Sequence, residues 1–436
     1  MIMREKMDED SESDRKILLD MVQKGLDKDR YHEDCLRYKA WLLQRSGKLD
    51  EAIEMYRSLK TPGARRALAD LYFEDQDTYG QEALAAYEEL LRERQTPELY
   101  FYAANCALNL GDHTKSEHYA RKALELDPDD IDALRNMALL SECRGETETA
   151  LDYINRSAQC MWDAERCYDW LIFHQVKVLS RLGRYEDALQ VVDDAMTRGN
   201  LPGGFQMKFD ICCQAGLWNQ AEAVLAQWQA ARKGDPEQIK ATGRLHLLRG
   251  RMLKATFAFG KVKHSMTKQE EEDLRIQLCE LEANHKRVVE LWGKRVGQGG
   301  DTSHVLTNLA LAVRWNGDAE GARKIAAKGL EVVDELLSRY QSNEPLYRTR
   351  RSALLALLGR IEEARAELAL ARKLPLCRQC TYGKCKDADI FEAYIEEITG
   401  NRSKAMELHL AGQQNWPDEL DFHAGVTRLK KNKKGR

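Results

Sequence analysis

The sequence predicts an all-α fold, a solenoid of about eleven helical hairpins with a capping helix at each end. Three observations predict it. A short joint, glycine followed five residues later by alanine, recurs down the chain as Gly47 and Ala52, Gly145 and Ala150, Gly183 and Ala188, Gly216 and Ala221, Gly250 and Ala255, Gly317 and Ala322, Gly359 and Ala364, and Gly400 and Ala405. Gly111 and Ser116 repeat it with serine. The joints recur roughly every 34 residues, room for two helices per unit. Finally, the chain has only 8 prolines in 436 residues while 43% of it is hydrophobic, which suits continuous helix around a buried core.

At the N-terminus, residues 1–16 are dense in charge and read as a disordered leader. Residues 17–30 read as an N-terminal capping helix, with Ile17, Leu18, Met21, Val22 and Leu26 on one side. Residues 31–412 then form the solenoid. Aligned on the small residue of each second helix, the units fall at Ala52, Ala83, Ser116, Ala150, Ala188, Ala221, Ala255, Val289, Ala322, Ala364 and Ala405. First helices carry matching apolar stripes, such as Leu36, Ala40 and Leu43, or Ile172, Val176 and Leu179. Pro128 stops the third unit, and Asp127, Asp129 and Asp130 offer caps to the next helix.

Two units are degenerate. The second, around Gln76 to Gly80, lacks a glycine in register, and the eighth places Asn284 and Val289 at the joint positions. Three spacings are long. The first holds Cys160, Trp162 and Cys167; the second lengthens a helix through Val332 to Tyr340; the third is a cysteine-rich insertion over 375–386. Residues 413–436 close the chain, with Asn415-Trp416-Pro417 breaking the last hairpin, a capping helix from Leu420 to Leu429, and a solvated basic tail.

The period and the two-helix unit resemble the tetratricopeptide repeat over about residues 31 to 412, best in the third to fifth units, in the manner of multi-repeat bacterial-type scaffolds. The resemblance implies a right-handed superhelix whose partners lie along the groove lined by first helices. Carried over residue by residue, groove positions are Arg37, Trp41, Tyr72, Phe101, Asn105, Arg135, Phe173, Lys177, Arg181, Lys240 and Arg244. Aromatic and arginine side chains are the types that anchor interfaces. Asp34, Asp132, Glu142 and Asp210 mix with them, so the groove is not uniformly basic. The carboxylate-clamp subtype is excluded, because Phe101 stands where that clamp needs a lysine.

Cys377, Cys380 and Cys385 fall within nine residues, the first two at the spacing that lets two thiolates face one metal ion. A fourth ligand would come from Asp387, Asp389, His409 or His423. Structural zinc, reduced thiols packing a loop, and a redox pair or cluster stay open. No other cofactor is implied. Phosphate-binding, dinucleotide and nucleophile-elbow glycine motifs are absent, so no catalytic residue is assigned and an enzyme is not expected.

A formal net charge of −4 argues against wholesale nucleic-acid binding, and no run of apolar residues is long enough to span a membrane. The remaining cysteines read as reduced, buried thiols of a cytoplasmic protein. The expected function is a non-enzymatic scaffold or adaptor binding a peptide or helix in its groove. The alternatives are a peptide- or ligand-responsive regulator acting through protein contacts and, behind it, an RNA-binding helical repeat. Partner, pathway and oligomeric state are left open by the sequence.

Overall fold

The computed structural model describes residues 12–28, 33–59, 61–198, 201–298, 301–339, 344–374 and 383–434, and every described element is helical. The chain divides into two compact units, residues 1–140 and 141–436. The first holds α1 (Glu12–Lys28), α2 (Glu33–Arg45), α3 (Leu49–Ser58), α4 (Pro62–Glu74), α5 (Gln76–Glu93), α6 (Pro97–Asn109), α7 (His113–Leu126) and most of α8 (Ile131–Cys143). The second continues with α9 (Thr147–Asp163), α10 (Asp169–Arg181), α11 (Tyr185–Arg198), α12 (Gly204–Gln214), α13 (Trp218–Ala231), α14 (Pro236–Leu248) and α15 (Met252–Val262). There follow α16 (Lys268–Leu281), α17 (His285–Arg295), α18 (Thr302–Trp315), α19 (Ala319–Arg339), α20 (Glu344–Leu357), α21 (Ile361–Ala371), α22 (Lys386–Ile398), α23 (Arg402–Asn415) and α24 (Leu420–Lys434).

The joint explains why consecutive helices pair. Gly183 has φ 72°, in the left-handed region that a side chain disfavours. There the Arg184 amide donates to the Leu179 carbonyl at 2.9 Å, closing the end of α10. Ala188 then buries completely in α11. All nine joint glycines share this backbone, with φ between 68° and 97°. The small residue that follows each of them is fully buried.

At the eighth joint the structure corrects the register by one residue. Ala283, not Asn284, takes the left-handed conformation, with φ 49°. Val288, not Val289, takes the buried position, at 1% exposure. Asn284 instead caps α17, its side chain accepting from the Arg287 amide at 3.3 Å. The second unit replaces the glycine with an extra helical turn, kinked at Tyr79, which Asp75 caps through the Thr78 amide.

Both chain ends differ from the expected caps. α1 begins at Glu12 rather than Ile17, and its stripe splits: Leu18 and Leu26 are buried while Ile17 and Met21 are exposed. α24 runs through Lys434, so the basic residues 430–434 prolong the helix. It packs on α23 through close approaches, a Cβ on Gly412 falling 2.2 Å from the Phe422 ring. It also reaches far back along the chain to α16 and α14. A linear solenoid has contacts only between neighbouring repeats, so α24 is an added strut within the second unit.

Candidate functional site

In the first unit the first helices lie side by side, and cross-helix hydrogen bonds link them. Gln44 of α2 donates to Glu74 of α4 at 2.8 Å. Arg66 of α4 donates to Glu98 of α6 at 2.7 Å, and its guanidinium lies 5.0 Å from the centroid of the Tyr102 ring. Asn136 of α8 donates to the Phe101 carbonyl at 3.1 Å. Polar side chains thus stitch neighbouring units together while alanines and leucines form the core beneath.

The groove positions of this unit fall into two sets. Arg37 is exposed and paired with Asp34 at 3.0 Å. Trp41 is half-buried, stacked on Tyr38 at 5.5 Å with Arg45 6.0 Å from its ring. Phe101 and Asn105 are half-buried on α6, where Asn105 accepts from Asn109 at 3.1 Å. Arg135 is half-buried on α8. Tyr72, by contrast, belongs to the core: it is 4% exposed, and its hydroxyl accepts from Arg57 at 3.0 Å.

In the second unit the matching positions are largely engaged. Glu142 is buried and gathers three groups from α10, namely His174, Arg181 and, at 3.2 Å, Lys177. Burial alone would raise the Glu142 carboxyl, yet the His174 hydrogen bond and the nearby cations bring it down to about 2. Phe173 on the same helix is 55% exposed. Lys240 bridges Glu237 and Glu270 at 2.8 and 2.7 Å. Arg244 joins Asp210 at 2.6 Å and Asp418, from the segment entering α24, at 3.5 Å.

The contacts of α24 were missed from sequence. Arg428 is 3% exposed and stacks 3.7 Å from the Trp315 ring centroid. It donates to Glu397 at 2.8 and 2.5 Å, and His409 meets the same carboxylate at 2.7 Å. Asp421 accepts from the Tyr394 hydroxyl at 2.7 Å. The visible signal was the run Trp416, Phe422, Ala424, Val426 and Leu429, too apolar for a helix covering only one neighbour; all five are buried.

Cys377 and Cys380 lie outside the described residues; Cys385 is half-buried at the N-cap of α22. Of the fourth-ligand candidates, His409 is bound to Glu397, and Asp389 accepts from Trp416 at 3.1 Å and Arg372 at 2.8 Å. Among the described residues no cluster of ligating side chains could hold a metal ion. Cys106, Cys212 and Cys213 are buried, and burial pushes the thiols of Cys106 and Cys213 up to about 12. No described helix is long and apolar enough to cross a membrane.

With this geometry in place, the chain carries tetratricopeptide repeats, units whose proteins serve as scaffolds for protein–protein interaction. Two sequence profiles described as tetratricopeptide repeat match it, over residues 97–130 and 119–152. No curated protein matches the sequence. Similar solved structures include a tetratricopeptide repeat protein from Parabacteroides merdae, 16% identical over 56% of this chain and 93% of that one, with TM-score 0.40. Another is the human IFIT1 dimer with m7Gppp-AAAA, 11% identical over 94% and 95%, TM-score 0.41. A third is PilW, a type IV pilus biogenesis factor, 17% identical over 56% and 92%, TM-score 0.31.

Proposed function

We propose that the protein is a non-enzymatic adaptor that holds an extended segment or helix of another protein along the first helices of its first unit. The observation that carries this reading is the unequal state of most groove positions, Phe173 being open in the second unit and Arg37 paired in the first. In the first unit Trp41 on α2 and Phe101 and Asn105 on α6, with α4 between them, remain partly open. In the second unit Lys177, Arg181, Lys240 and Arg244 are held by carboxylates of the protein itself. Half-exposed aromatics on a surface stiffened by cross-helix hydrogen bonds lose little entropy on binding, which is what an anchor needs.

The test is a photo-crosslinking amino acid at position 101, with a control at the 74%-exposed Lys324, followed by mass spectrometry of adducts formed in the native host. A protein adduct specific to position 101 is expected, and Trp41→Ala should remove most of it. If the same partner is captured equally by the Trp41→Ala, Phe101→Ala double variant, the proposal fails. Lys177→Glu is a poor probe, because it sets a second carboxylate beside Glu142 and disturbs folding.

A further inference from the structure

A separate surface of the second unit fits a different occupant. Residues 238–269 contain eight lysines and arginines and no aspartate or glutamate, in a chain with 71 acidic residues overall. This stretch builds α14 and α15. Between α13 and α15, floored by α14, lies an open cavity of about 630 Å³. Its rim carries Leu253 and Phe257, one turn apart on α15 and 88% and 68% exposed. Large apolar side chains so exposed, side by side, mark an interaction surface.

The charge that lines the cavity has one sign, Glu222 of α13 being paired with Arg251 at 3.7 Å outside that lining. Lys233, Lys254 and Lys261 line the cavity, and no carboxylate does. Lys261 sits 4.5 Å from the centre of the Phe257 ring. The acidic residues at the edges of the stretch are engaged elsewhere: Glu237 and Glu270 by Lys240, and Asp235 by the Trp228 indole at 2.9 Å. On the floor, the Nδ1 atom of His246 is buried without a hydrogen-bond partner among the described residues.

We infer that this groove docks an acidic amphipathic helix of a partner protein. Its apolar face would cover Leu253 and Phe257 and send one side chain into the cavity, and its carboxylates would meet the three lysines. An anionic bilayer would reach the crest of α15 but would bridge over a concavity whose floor includes Gln238 and Thr242. A peptide side chain can enter it.

The probe is a fluorescent designed helix of about 18 residues, with leucine and phenylalanine at i, i+3, i+4 and i+7 and glutamate on the other face. Its control carries lysine instead. The full-length protein should bind the glutamate peptide, more weakly as salt rises. Phe257→Ser should weaken binding about tenfold or more, with circular dichroism unchanged. The Lys254→Glu, Lys261→Glu variant should lose the glutamate peptide and gain the lysine peptide. Equal binding by wild type and Phe257→Ser overturns the inference. So does Phe257-dependent sedimentation with phosphatidylserine vesicles in the absence of peptide binding. Trp41→Ala with Phe101→Ala should leave this binding intact, so failure here and failure of the adaptor proposal are separately readable.

Discussion

Ala283 holds a backbone conformation that its nine counterparts reserve for glycine. For an L-residue the left-handed region costs roughly 1–2 kcal/mol, set against glycine's larger entropy loss on folding of roughly 0.5–1 kcal/mol. Ala283→Gly should therefore stabilise the protein by up to about 1 kcal/mol, and Gly183→Ala, the reverse exchange, should destabilise it by up to about as much. Urea unfolding monitored by circular dichroism checks both, and a destabilising Ala283→Gly would refute the assigned register. The same residue shows what sequence could and could not tell. Glycine announces a left-handed joint because few other residues go there, so nine joints were legible. Alanine carries no such mark, and the eighth joint was aligned on Asn284 and Val289, one residue late. Burial settles it, since Val288 and not Val289 is closed off from solvent.

At the scale of elements, the helices α2 to α23 follow local periodicity, and local periodicity is what a sequence displays most plainly. α24 obeys a different rule. Its partners lie on α14 and α16 as well as on α23, far back along the chain, and such contacts leave no periodic trace. The groove positions suffered likewise: spacing placed Arg244 on the right helix face, but only folding brings Asp418 to it. α24 is held by charge as well as by apolar packing. Arg428 and Glu397 are both buried, with His409 as the other partner of that carboxylate. Removing one member of a buried pair costs about 3–5 kcal/mol, because the other charge is stranded. Arg428→Met should cost about that much and open residues 417–434 to limited proteolysis. The double variant Arg428→Met, Glu397→Gln should recover much of the loss, since neither member of that pair is then left charged and alone. A double variant no better than the single would mean that apolar contacts alone seat the helix.

Across the whole molecule, two kinds of perturbed carboxyl set opposite responses to pH. Burial works against ionisation of Glu142 and Glu397, but the groups around them prevail and hold both at about 2. Their contribution is present above the ordinary carboxyl range and drains away as pH falls towards 2, because the unfolded chain takes up protons first. Glu280 and Asp421 are shifted the other way. Burial pushes both up, and nearby carboxylates push them further: Asp421 for Glu280, and Glu419 for Asp421. The folded state then keeps protons that the unfolded chain releases, so stability falls as pH rises from the ordinary carboxyl range through the raised values. All four groups lie in the second unit, and Asp421 belongs to α24 itself, so its seating should weaken as the solution turns alkaline. The melting temperature should fall between about pH 5.5 and about pH 8.5, and Glu280→Gln should flatten that fall because a neutral amide has no proton to lose. Hydrogen exchange of α24 amides over the same range locates the effect. Parallel wild-type and Glu280→Gln profiles would show that the titrating groups lie elsewhere, whereas a flattened profile with slower alkaline exchange in α24 assigns the response to the contact between α16 and the C-terminal helix.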